Sequence, residues 1–193
     1  ARRSIRSSRR LRWGMSKLGE LIEELCPNGF EFRALRDVSE LITKGTTPKT
    51  YVTNGIAFIK TESFFNDTID KEKIMYVDCE THNSFLKRSI LKEHDILFAI
   101  AGSIGKCVIV EKDILPANTN QALAIIRLKN SVNLRYVFHI LKSKLMENYI
   151  EKNVKGSAQP NLNLQQIGDF PIPLPPLSVQ REIVRILDNF TEL

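Results

Sequence analysis

Phe170-Pro171-Ile172-Pro173-Leu174-Pro175-Pro176-Leu177-Ser178-Val179-Gln180-Arg181-Glu182-Ile183-Val184 changes character partway along. Phe170 to Leu174 reads as a short strand, and Pro175-Pro176 then breaks the chain. Ser178 stands where an N-cap is expected, and Val179, Ile183, Ile186, Leu187 and Phe190 recur at helical spacing. Over residues 178–193 such a helix spans about 24 Å and meets no Gly or Pro stop. The expected fold is α+β: one domain built on a mixed or antiparallel sheet with flanking helices, and a helix trailing from it that begins at about residue 178.

Working outward, residues 55–60, 95–101, 106–110 and 121–128 are apolar, β-branched runs that predict strands. Gly102-Ser103-Ile104-Gly105 makes a tight connection between the second and third of them. Helical spacing predicts three more helices. Leu18, Leu21, Ile22 and Leu25 form one, stopped by Pro27 and Asn28-Gly29. Leu35, Val38, Leu41 and Ile42 form a short second one before Gly45. Residues 133–150 form a third, with Leu134, Val137, Phe138, Leu141 and Leu145 on one face. Polar loops occupy residues 44–49 and 155–161, and Asn118-Thr119-Asn120-Gln121 is an amide-rich turn before a strand.

The chain has 193 residues, 42% of them apolar and 26% charged, which suits one globular domain. No apolar run reaches the ~18 residues that a membrane helix needs. The formal charge of +6 is unevenly placed, because residues 1–14 hold six arginines and no acid. Without those six, 22 of the 28 basic residues remain to face 22 acids, so the body is neutral. Residues 1–14 are expected to be a vector-derived or disordered basic leader, residues 15–177 the domain and residues 178–193 the trailing helix. Cys26, Cys79 and Cys107 are odd in number and widely spaced, which points to a reducing, cytoplasmic setting.

Several chemistries lack their residues. Gly102-Ser103-Ile104-Gly105-Lys106 is not a nucleotide P-loop, because Ile100 and Cys107 occupy the positions that need Gly and Ser or Thr. The glycines then serve a tight turn, or bring backbone N–H groups and Lys106 to a polyanion. His82, His94 and His139 have no neighbouring ligand at metal spacing, so no metal site is expected. No acid lies two residues before a Lys, as a magnesium-dependent nuclease would need. No Asn-Pro-Pro-Tyr methyltransferase tetrapeptide and no Gly-x-Ser-x-Gly elbow occur.

In order along the chain, Lys44-Gly45-Thr46-Thr47-Pro48, Gly55-Ile56, Gly102-Ser103-Ile104-Gly105-Lys106, Asn120-Gln121 and Gly156-Ser157-Ala158-Gln159-Pro160-Asn161 are similar to the target-recognition domain of type I restriction–modification specificity subunits. Pro171 to Val184 resembles that family's junction between recognition domain and spacer helix. Leu25-Cys26-Pro27-Asn28-Gly29-Phe30-Glu31-Phe32 resembles the entry to such a domain. A full specificity subunit carries two such domains on paired helices, so one domain with a short helix is expected to be a fragment or a half-subunit.

The resemblance implies a non-catalytic domain that reads half of a bipartite duplex DNA target. It implies partner modification (methyltransferase) subunits that methylate adenine with S-adenosylmethionine, and a restriction subunit that uses ATP and magnesium, with no cofactor in this chain. The candidate DNA contacts are Lys44, Thr46, Thr47, Lys49, Lys60, Ser103, Lys106, Asn120, Gln121, Lys155, Ser157, Gln159 and Asn161, whose cations suit phosphates and whose amides and hydroxyls suit base edges. The candidate subunit interface is Leu18, Leu21, Ile22, Leu25, Ile183, Ile186, Leu187 and Phe190, through which two copies could pair. Two rival functions are an interaction scaffold built on the terminal helices and an enzyme built on the Gly102–Lys106 loop. Solvent-facing loops and a helix stripe covered within one chain are the plain alternatives for these groups.

Overall fold

The computed structural model describes residues 23–154 and 161–191. The leader, Leu18, Leu21, Ile22, Lys155, Ser157 and Gln159 lie outside the described residues, as does the side chain of Phe190.

The strands are β1 (Glu31–Ala34), β2 (Ser39–Lys44), β3 (Ile56–Ile59), β4 (Phe64–Phe65), β5 (Thr68–Ile69) and β6 (Met75–Val77). Helix α1 (Cys79–Asn83) separates these from β7 (Ile96–Ala99), β8 (Cys107–Ile109), β9 (Ala117–Thr119) and β10 (Leu123–Leu128). Then come α2 (Leu134–Leu141), α3 (Lys144–Val154), α4 (Leu164–Gly168), β11 (Pro171–Leu174) and α5 (Leu177–Thr191). An antiparallel sheet has the order β2-β10-β7-β8, and a mixed sheet has the order β6-β3-β9, with β3 and β9 parallel.

Alternation along the strands sets the layers. Ile96, Phe98, Cys107, Ile109, Ala124 and Ile126 face the helices and pack with Val137, Leu141, Met146, Ile167 and Phe170. Leu97, Ala99, Val108, Leu123 and Ile125 face the other way, onto Ile59 and Ala117 of the mixed sheet. The four-stranded sheet is therefore buried on both faces, which is why β7 and β10 appear in the sequence as continuous apolar runs. The α+β expectation holds, with the sheet mostly antiparallel.

Four local expectations change. Leu35–Val38 is a 3-10 turn, and the chain from Ser39 is strand β2 rather than helix. Pairing decides it: Ile42 lies opposite Ile126 and Thr43 opposite Ile125, so edge-strand hydrogen bonds outweigh a short helical pattern. The helix expected over 133–150 breaks between Leu141 and Lys144, which shifts the phase; Met146 is buried and Leu145 is exposed. Asn133 caps α2 by accepting the Tyr136 N–H at 3.0 Å. Helix α5 starts one residue early, with the Pro176 carbonyl accepting from Val179 and Gln180 at 2.9 and 3.1 Å. Ser178 thus sits inside the first turn rather than at the cap. Among the described residues no helix is long and apolar enough to cross a membrane.

Candidate nucleic-acid interface

Strand direction brings the candidate loops together. Lys44 ends β2 opposite Ala124 near the start of β10, and Ala99 ends β7 opposite Leu123. Cys107 starts β8 opposite Phe98. Ile59 and Thr119 end the parallel pair β3 and β9 side by side, and Thr119 runs through Asn120 into β10. Lys44, Lys60, the 102–106 turn, Asn120 and Gln121 therefore share one end of the two sheets.

Close contacts fix these loops. The Thr46 N–H donates to the Thr119 carbonyl at 3.0 Å and the Gly45 N–H to the Leu123 carbonyl at 3.2 Å. A Cβ on Gly45 would lie 2.1 Å from the Thr119 oxygen, so the approach needs glycine. The Thr47 hydroxyl donates to Gln121 Oε1 at 2.5 Å, joining two candidate contact residues. Thr119 Oγ1 donates to the Ile59 carbonyl at 2.9 Å. Gly102 and Gly105 have φ of +69° and +94°, the left-handed geometry that the tight turn demands. Asn161 bridges to Ala101, and the Leu162 N–H donates to the Ile100 carbonyl at 2.9 Å, which holds Asn161 and Leu162 beside that turn.

The charges at this end differ in freedom. Lys44, Lys49 and Lys106 are exposed and pair with no carboxylate among the described residues. Lys60 is half-buried, with Glu62 at 3.7 Å and the Met75 sulfur at 3.7 Å. Asn120 spends its Oδ1 on the Ala122 N–H at 3.1 Å, so that amide shapes the turn. Ser103 is exposed, and its carbonyl accepts the Lys106 N–H at 3.2 Å. Neighbouring Asn118 is fully buried and structural.

The interface candidates divide. In α5, Val179 and Gln180 are buried, and Ile183 packs against the domain's own core. Gln180 accepts the Asn133 N–H at 2.9 Å and donates to the Pro175 carbonyl at 2.9 Å. Asp188 accepts from Arg135 at 2.7 and 3.1 Å and from His139 at 2.8 Å, so α5 is fastened to α2. His139 thus helps to join α2 to α5. Ile186 is half-buried, while Leu187 and Leu25 are 38% exposed.

Burial pushes the Cys107 thiol up to about 12. No cluster of three metal-binding side chains occurs among the described residues. What the loop end offers is exposed cations, hydroxyls and amides held on short, anchored turns.

Comparison with known proteins matches this arrangement to a family. The EcoBI specificity subunit of Escherichia coli is 30% identical over 72% of this chain and 29% of its own length. The MjaIX specificity subunit of Methanocaldococcus jannaschii is 25% identical over 86% of this chain and 39% of its own. The crystal structure of the HsdS subunit from Thermoanaerobacter tengcongensis shares the fold, with a TM-score of 0.63, 19% identity, and coverage of 91% of this chain and 42% of that one. The chain spans less than half the length of these relatives. Residues 27–193 match the type I restriction modification DNA specificity domain, and the chain belongs to that family.

Proposed function

We propose that this chain is a non-catalytic DNA sequence-recognition domain that reads one half of a bipartite target. The observation that carries this is the convergence of the candidate loops at one sheet end, on a scaffold of the specificity-domain family. Lys44, Lys49 and Lys106 would hold phosphates and set register, while Thr47, Gln121 and Asn161 would meet base edges. Adenine methylation and cleavage would belong to partner modification and restriction subunits, which would bring S-adenosylmethionine, ATP and magnesium. The target adenine would be flipped out of the stack by the modification subunit.

Pairing of two copies through Ile186, Leu187 and the end of α5 belongs to the same proposal. It would set two recognition domains in inverted orientation. Light scattering on wild type and Leu187→Asp tests that part, and a wild type that stays monomeric at high concentration removes it. The central function is tested by methylome sequencing of a host carrying the complete system with this chain, before and after exchange of residues 44–49 and 102–106 for those of another family member. A changed half-site supports the function; an unchanged methylated motif overturns it.

A further inference from the structure

The turn that follows α1 has a divided character. Leu86 and Ser89 are fully buried, whereas Phe85 is 52% exposed and Lys87 and Arg88 point to solvent. A buried polar network holds the turn in place. The Leu86 carbonyl accepts from Asn118 Nδ2 at 3.1 Å, from the Ser89 N–H at 2.8 Å and from Ser89 Oγ at 3.0 Å. Because Nδ2 faces a carbonyl, the other amide atom of Asn118 is its oxygen, and it lies 2.6 Å from His82 Nδ1. His82 Nδ1 therefore carries a proton and donates. Leu86, Ser89, His82 and Asn118 satisfy one another, and the outward side chains stand on a rigid base.

Register tells where that base lies. Ile90 bridges Asn118, and the Leu91 N–H donates to the Ala117 carbonyl at 2.9 Å. This segment runs antiparallel to β9, so the turn before it lies toward the Thr119 end. That is the end where the Thr119 carbonyl holds Thr46 and where Asn120 and Gln121 follow. Among the described residues, neither Lys87 nor Arg88 has a carboxylate partner, although residues 15–193, these two included, carry 22 basic residues against 22 acidic ones.

We propose that the 85–88 turn extends the DNA-contacting face, with Lys87 and Arg88 holding phosphates of the duplex backbone beside the Lys44 and Asn120 loops. The inference rests on the DNA-recognition function proposed above. Unpaired cations on a preorganised turn match a polyanion in charge, and contacts of this kind fix register without reading sequence.

The test uses the full chain and a labelled random-sequence duplex, titrated across a salt series. Wild type is compared with three double variants: K87A with R88A, K44A with K106A, and K92A with K112A. Lys92 and Lys112 are exposed cations at the opposite sheet end and serve as the charge-matched control. Thermal melts check that each variant is folded. The K87A/R88A pair is expected to weaken binding and to lower the slope of log affinity against log salt by about 2, with the control unchanged. A slope equal to wild type for K87A/R88A, with a flattened slope for K44A/K106A, overturns this inference and leaves the proposed function standing. Equal slopes in both of those pairs, or no duplex binding by wild type, overturn the function itself. A control that falls as far as K87A/R88A means that net charge rather than position is at work, and it also overturns the inference.

Discussion

Asp95, fully buried at the start of β7, accepts both arms of the Arg127 guanidinium from β10, at 2.8 and 2.7 Å. The same carboxylate also accepts the Lys92 N–H at 2.8 Å, so its oxygens are well satisfied. Removing one partner strands a buried charge, and Arg127→Ala is expected to cost about 3 kcal/mol of stability. Urea denaturation measures it. The pair lies at the sheet end remote from the candidate loops, so the folded fraction of the variant should keep wild-type DNA affinity.

Gly45 makes a contrasting case, because its backbone lies against the carbonyls of Thr119 and Asn120. Gly45→Ala would place a Cβ 2.1 and 2.2 Å from those oxygens, and backbone must move. The expected loss is about 1–3 kcal/mol, accompanied by weaker DNA binding as the 44–49 loop lifts from β9. Gly102→Ala meets no atom within 4 Å, and only its φ of +69° is strained. It should cost about 1 kcal/mol and leave the loop in place. Melting temperature and duplex affinity, read on both variants, separate the two mechanisms.

Lys44, Lys49 and Lys106 should behave as register-setting contacts. Each Lys→Ala change is expected to weaken binding evenly across duplex sequences and to lower the salt slope by about 1. Asn161→Ala should instead shift sequence preference with little change in slope, because an amide at a base edge releases no counterion. Fluorescence anisotropy against several duplexes at varied salt reads both effects. Unchanged affinity in all three Lys variants would place the DNA face elsewhere.

Much of the scaffold is legible in the chain, for physical reasons. The β7 and β10 runs declare themselves because a strand buried on both faces has no polar alternation to confuse with a helix. β2 escapes, because Leu35, Val38, Leu41 and Ile42 fit a helical period and only pairing with β10 decides otherwise. Strand β9 is short and centred on Asn118, a polar residue whose burial depends on His82, far away in sequence. The loops' composition suggests nucleic acid, but their convergence is a property of register. That is also why Lys87 and Arg88 are recognised as neighbours of these loops only in three dimensions.

The fastening of α5 to α2 should respond to acid. Arg135, and then His139, hydrogen-bond the Asp188 carboxylate and hold its pKa below the ordinary value, against partial burial that works upward. A carboxylate lowered in the folded state stabilises it above the unfolded-state pKa, and that contribution is lost as pH falls through the lowered value. Asp188→Asn should therefore cost about 1 kcal/mol at neutral pH and clearly less at about pH 2, below the ordinary carboxylate range. Urea melts of both proteins at the two pH values check this. Equal differences at both would show that the carboxylate's charge does not fasten the helix.

The central claim is that the loops gathered at one sheet end choose a DNA sequence. Selection of bound duplexes from a randomised library, with the full chain and at enough salt to suppress nonspecific binding, measures that choice directly. The account predicts enrichment of one short motif, which changes when Gln121 or Asn161 is replaced by Ala and persists when Arg127 is. A library that emerges without any enriched motif, or a motif indifferent to both loop changes, would contradict it.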